Sequence, residues 1–173
     1  MNRTVSRSLT FFLSAFLIIT DQISKKLIVD NIPANSIGYT FWNDFLWIVH
    51  VKNTGIAFSL GDSIPGIFRI ILFILIPFLV MIGLAIYIVR TKGITTFQSW
   101  CLAGILGGGL GNLIDRVFRS EGVIDFVSVK FYGLFWMDRF PVFNVADSSI
   151  VVFGILILIT FIIEGRHKNE QKA

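Results

Sequence analysis

The sequence predicts an all-α integral membrane protein: a bundle of four transmembrane helices that carries a small extracytoplasmic β-sheet and an interfacial aromatic helix or flap. Three observations predict it. Charged residues are only 15% of the 173-residue chain and apolar ones 54%, whereas about a quarter of a soluble domain is charged. The mean hydropathy is +0.77. Stretches of about 20 mostly apolar residues, the length that crosses a bilayer, recur along the chain. The size fits a single membrane domain over residues 1–173.

The spans are placed at about residues 8–29, 68–90, 94–115 and 143–163. The first is the least clean, because Asp21, Lys25 and Lys26 come before its last apolar residues, Ile28 and Val29. No A-x-A cleavage site follows, so it is read as a retained span rather than a signal peptide. The second is uncharged from Ile70 to Val89, and Pro77 inside it predicts a kink or bulge. The third is rich in glycine. Gly104, Gly108 and Asn112 are spaced by four, as are Gly107 and Gly111, and small residues so spaced let helices approach closely. Four residues further on, Arg116 shares the face of Gly108 and Asn112. The fourth span has Asp147 near its start.

Lys and Arg set the orientation. Arg3 and Arg7 precede span one, Arg90 and Lys92 lie between spans two and three, and Arg166, Lys168 and Lys172 follow span four. With four spans these fall on one side, so both termini are expected in the cytoplasm. The segments 30–66 and 116–142 are then extracytoplasmic. Lys25, Lys26, Arg116 and Arg119 compete with that assignment unless carboxylates or lipid phosphates hold them.

In the first outer segment, Phe45–Val51 is rich in β-branched and aromatic residues. Asn53, Thr54 and Gly55 offer a turn, and Ile56–Leu60 a returning strand. His50 is expected on the strand, facing water. In the second segment, Phe131–Met137 carries amphipathic rings suited to the headgroup level.

The basic residues cluster as topology signals, so no nucleic-acid partner is expected. The one cysteine, Cys101, cannot form an intrachain disulfide, and no His/Cys cluster fits a metal. The chemistry rests instead on two carboxylates in apolar surroundings, Asp125 in Val123–Phe126 and Asp147 in Phe143–Ser149. A charge at or in a membrane is costly and is by default a hypothesis of function. Two carboxylates that converge in a low dielectric keep one proton between them, and the pair can activate water and assist a leaving amine. Asp147, at the start of a helix, is the better holder of the anion. Asp115 is the rival carboxylate, with Arg116 beside it as a local partner. Asp21 and Lys25 lie four apart and can pair. Spacing alone leaves three readings open: a two-aspartate enzyme, a proton-coupled transporter, and a structural or lipid-binding protein.

The blocks Asp21-Gln-Ile-Ser-Lys25, Asn53-Thr-Gly-Ile-Ala-Phe58, Gly108-Gly-Leu-Gly-Asn112-Leu-Ile-Asp-Arg116, Val123-Ile-Asp125-Phe126 and Phe143-Asn-Val-Ala-Asp147 together resemble the bacterial signal peptidase II family, and in its order. The resemblance implies an aspartic endopeptidase of the bacterial cytoplasmic membrane, multi-pass and acting as a monomer without metal or cofactor. It would cut a diacylglyceryl-modified prolipoprotein just before the lipidated cysteine. Asp125 and Asp147 would be catalytic and Asp115 would not. Asp21, Lys25, Asn53, Gly55, Gly108, Asn112, Arg116, Asn144 and Ala146 would line the substrate site. Membrane lipid and the cyclic peptide inhibitor globomycin would be its other partners.

Overall fold

The computed structural model describes residues 7–55 and 66–170. Four long helices, α1 (Phe11–Asn31), α2 (Gly66–Arg90), α3 (Thr96–Phe118) and α4 (Val145–Glu170), carry a sheet of β1 (Ser36–Phe41), β2 (Leu46–Asn53) and β3 (Val123–Val129). Length and composition let α2, α3 and residues Val145–Glu164 of α4 cross a membrane. The sequence reading expected four such spans, and three are found. At 21 residues α1 is long enough, but it holds Asp21, Lys25, Lys26 and Asp30, and each charge opposes transfer into hydrocarbon.

Helix α3 is the centre of the bundle. It starts on a reciprocal cap, with Gln98 N–H donating to Thr95 Oγ1 at 3.1 Å and Thr95 N–H to Gln98 Oε1 at 2.9 Å. Its two rows of small residues serve two different neighbours. A Cβ on Gly108 would lie 2.5 Å from the Ala146 carbonyl oxygen of α4, and one on Gly111 would lie 2.8 Å from Asp21 Oδ2 of α1. No side chain fits either place, so the glycines let three backbones meet around α3.

In α2 the bulge expected from Pro77 is present. Ile71–Leu75 forms a π-helical turn directly before the helix resumes at Ile76. Proline has no N–H to give to the preceding turn, which is how such a ladder comes to be interrupted.

The sheet is antiparallel in the order β1-β2-β3, with Thr40 opposite Trp47, and Trp47 opposite Ser128. The expected central strand is there, as Leu46–Asn53. Its partners are Ser36–Phe41 and the Asp125 segment. The expected return strand, Ile56–Leu60, lies outside the described residues. His50 does not face water as expected. It is 3% exposed, with Nδ1 2.7 Å from the Ile32 carbonyl oxygen, because β2 turns that face onto the end of α1, where Ile28 and Ile32 pack with Ile124 and Phe126.

After β3 the chain makes a single 3₁₀ turn, Leu134–Trp136, with Tyr132 and Trp136 exposed. Arg139 ties this loop to the sheet. Its Nη1 donates to the Asp44 carbonyl at 3.0 Å and its Nε to Ser128 Oγ at 2.8 Å, while the guanidinium lies 3.6 Å from the centre of the Trp47 ring. The chain then returns along β3, where Val127 and Phe143 exchange backbone hydrogen bonds of 2.8 and 3.0 Å, and enters α4.

Candidate active site

That return strand brings the two aspartates together. Pairing of Phe143 with Val127 sets Asn144 beside Asp125, and Asn144 is also the residue on which α4 begins. Its Oδ1 accepts from Asp147 N–H at 2.9 Å, and its own N–H donates to Asp147 Oδ2 at 3.1 Å. This is a reciprocal cap across three residues. Asn144 Nδ2 donates to Asp125 Oδ1 at 2.7 Å. One wholly buried asparagine thus touches both carboxyl groups.

Each carboxylate has further donors. Asp125 Oδ2 accepts from Asn53 Nδ2 at 2.9 Å, and Asp147 Oδ1 from Asn112 Nδ2 at 2.7 Å. Asp147 is therefore more than a cap. One oxygen closes the α4 N-terminus while the other faces α3. Asp125 is 3% exposed. Its carboxyl is raised from the ordinary 3.8 to about 6, first by burial and also by the nearby charge of Asp147, against the pull of the Asn53 and Asn144 N–H groups. A carboxyl raised to about 6, beside one that closes the α4 N-terminus, gives the two unlike surroundings, which acid–base chemistry on a carboxylate pair needs.

Beneath this layer lies a buried ion cluster. Lys25 Nζ is 2.8 Å from Asp21 Oδ2, 2.8 Å from Asp115 Oδ2 and 2.9 Å from Asn112 Oδ1. The expected Asp21–Lys25 pair is present. Asp115 does not pair with Arg116 as its neighbour in sequence. It takes Lys25 and, at 3.0 Å, Arg119 Nε, one helical turn on, since residues four apart share a face and adjacent ones do not. Gln22 Nε2 donates to Asp115 Oδ1 at 3.1 Å. Asp21 Oδ1 also accepts the Ala146 N–H at 3.0 Å, so α1 caps α4. The basic residues that conflicted with the orientation thus have partners: Lys26 pairs with Asp30 at 2.9 Å, and Arg116 lies 5.0 Å from the Phe73 ring centre. Gln22 was not singled out in the sequence. Arg119, expected to need a carboxylate or a lipid phosphate, has Asp115 four residues before it, a spacing that signals the pair.

The residues named for the substrate site divide into two sets. Asn53, Gly55, Arg116, Asn112 and Asn144 stand at or beside the carboxylates. Asp21, Lys25, Gly108 and Ala146 are buried behind them. A cavity of about 200 Å³ opens next to the first set, lined by Asn53, Phe73, Ile74, Arg116 and Gly122 among others. Its floor lies on α3 and β2, and its α2 wall is made by Ile70, Phe73 and Ile74 together with Arg69. Among the described residues Arg116 makes no hydrogen bond or ion pair. It lies within electrostatic reach of both Asp125 and Asp147.

The family model described as signal peptidase (SPase) II matches residues 13–163. The chain is 43% identical over 172 residues to the lipoprotein signal peptidase of Treponema denticola, covering 99% of each, and 38% identical over 162 residues to that of Treponema pallidum, covering 94% of this chain and 87% of the relative. A solved structure described as a bacterial membrane enzyme superposes with a TM-score of 0.78 at 28% identity, covering 93% of this chain and 92% of that one.

Proposed function

This chain belongs to the signal peptidase II family, and on that premise we propose how it removes the signal peptide of a prolipoprotein. Asp125 and Asp147 act as the catalytic pair. With one proton shared, the ionised carboxylate takes a proton from water as it attacks the scissile carbonyl, and the protonated one polarises that carbonyl and then gives its proton to the leaving amine. The observation that carries this reading is Asn144, whose Nδ2 donates to Asp125 Oδ1 at 2.7 Å and whose backbone N–H donates to Asp147 Oδ2 at 3.1 Å. It holds two carboxylates, 22 positions apart in the sequence, in one hydrogen-bonded unit.

The substrate is a prolipoprotein whose cysteine carries diacylglycerol, cut just before that cysteine. The acyl chains fix the scissile bond at the membrane surface, and the dyad lies where α3 and α4 meet the sheet, a level suited to that bond. Arg116 and Asn53, on the floor of the cavity, are placed to hold a substrate carbonyl, and Ile70, Phe73 and Ile74 of α2 to receive chains. Helix α1 is a fourth span whose buried charges are neutralised in pairs. Both termini are cytoplasmic, and the sheet and the 131–140 loop lie on the outer face of the cytoplasmic membrane. The enzyme works as a monomer, and globomycin competes for the cleft. The test is cleavage by the purified chain of a lipobox peptide with and without the diacylglyceryl group. Cutting before the lipidated cysteine is expected, and the unmodified peptide is expected to persist. Equal cutting of both would remove the lipid from the recognition.

A further inference from the structure

An amide side chain has no difference in shape between its oxygen and its NH₂ end, so the groups around it decide which way it points. Three asparagines reach the two carboxylates, and each has a donor-only group on its far side. Asn53 Oδ1 faces the Gly55 N–H at 3.2 Å, which leaves its NH₂ for Asp125. Asn144 Oδ1 faces the Asp147 N–H, which leaves its NH₂ for Asp125 as well. In both cases a backbone N–H, present whatever the side chain, sets the direction.

Asn112 differs. One of the two donors that set it is the ammonium of Lys25, 2.9 Å from Oδ1. An ammonium has three hydrogens and no acceptor, and the other two go to Asp21 and Asp115 at 2.8 Å each. Lys25 is 0% exposed, as are both carboxylate residues. The same Asn112 oxygen accepts from Asn144 Nδ2 at 3.0 Å. Its NH₂ therefore faces Asp147 Oδ1 at 2.7 Å.

We infer that Lys25 is a positioning residue for the cleavage reaction: acting through Asn112, its ammonium keeps an N–H aimed at Asp147. The inference rests on the assignment of Asp125 and Asp147 as the catalytic pair. Lys25 bonds to Asp21, Asp115 and Asn112, its charge reaches Asp125 only through space, and its burial keeps it from the substrate. Without it, the one donor left on the Asn112 oxygen is Asn144 Nδ2, which also serves Asp125, and a fraction of the molecules turns that oxygen toward Asp147. Two acceptors then face each other, and a proton between them is the stable arrangement, which draws the shared proton away from Asp125. The charged groups around this amide and the dyad are Asp21 and Lys25 of α1, Asp115, Arg116 and Arg119 of α3, Asp125 of β3 and Asp147 of α4.

The experiment uses the full-length protein in lipid vesicles and a diacylglyceryl-modified lipobox peptide. Wild-type turnover is measured first, and its absence would fail the functional reading rather than this inference. Lys25→Met, Asn112→Ala and the double variant are then compared as kcat and KM per folded molecule. Each single change is expected to lower kcat by about a hundredfold, the usual loss for a preorganised donor, with KM held within about threefold. The double variant is expected to be no slower than the worse single. Losses that multiply, or a normal kcat in Lys25→Met, would overturn the inference. Should Lys25→Met not fold, Lys25→Met with Asp115→Asn removes a negative charge along with the positive one, and the same kcat loss is expected. Failure of that variant to fold as well would assign Lys25 to the frame of the bundle and overturn the positioning role.

Discussion

Helix α2 and the other three helices are built on opposite plans. Over 25 residues α2 buries only Ile88, near its C-terminal end, and nothing in its N-terminal half. Helices α1, α3 and α4 bury Asp21, Lys25 and Asp115 and the wholly enclosed Asn144 at their outer ends. The first is a largely apolar helix with exposed side chains along its length, lining the cavity through Arg69, Ile70, Phe73 and Ile74, with a π turn at that level. The second is a polar knot in which nearly every donor has a named acceptor. A buried charge is tolerated only when paired and hydrogen-bonded, so the knot is rigid by necessity. The contrast teaches where each task sits: the trio fixes the two carboxylates, and α2 lines the open space beside them.

The most forceful way to break this contrast is to remove one member of the knot. Asp115→Ala takes from Lys25 one of its two carboxylates and from Arg119 its ion-pair partner, and a loss of about 3–5 kcal/mol is expected for breaking a buried pair. Leu79→Ala on the outward face of α2, where Leu79 is 56% exposed, should cost under about 0.5 kcal/mol. Unfolding of both variants in the same lipid checks this, and equal losses would erase the distinction. A smaller effect is expected from overpacking. Gly108→Leu forces a side chain against the Ala146 carbonyl and Ile150 and should cost about 1–3 kcal/mol. Gly83→Leu on α2, with open space around it, should fold normally.

A titration sharpens the comparison further. The Asp125 carboxyl is raised to about 6, so the folded protein holds this proton more tightly than the unfolded chain does. Its contribution is full below the unfolded value, near 4, and is lost as pH rises to about 6, with no further change from this group above that. Thermal unfolding from pH 4 to 7 should show the decline in the wild type, and Asp125→Asn should lack it. Asn53→Leu takes away an N–H that favours the anion and should move the midpoint of an Asp125 carboxyl NMR titration higher still. A downward move would refute the assigned cause. The smallest effect is expected at the surface. Arg139→Ala frees the 131–140 loop from Trp47 and Ser128, and should change KM more than kcat in the cleavage assay.

Three of the four expected spans, the central strand of the sheet and the segments carrying Asp125 and Asp147 were legible in the sequence because each is a local pattern: a long apolar run, β-branched residues, a carboxylate in apolar company. What was not legible depends on contacts distant in sequence. His50 alternates with apolar neighbours as a water-facing residue would, and only the packing of β2 on Ile32 buries it. Asp115 has Arg116 next to it in sequence, yet helical geometry hands it to Arg119 and Lys25. The strand partners of β2 could not be read, because the nearest candidate by turn chemistry was Ile56–Leu60 and the observed partners include a segment 70 residues away, with Asn53 opposite Val123. The charges in α1 were read as purposeful, but nothing local showed that one of them would govern the direction of an amide on α3.

The central claim is that Asp125 and Asp147 together cleave the peptide bond. Its most direct test is the turnover of a diacylglyceryl-modified lipobox peptide by Asp125→Asn and Asp147→Asn, each confirmed as folded and membrane-inserted, beside the wild type. The account predicts that both variants lose at least about a thousandfold in kcat while still binding the peptide. Turnover within about tenfold of wild type in either one would contradict it.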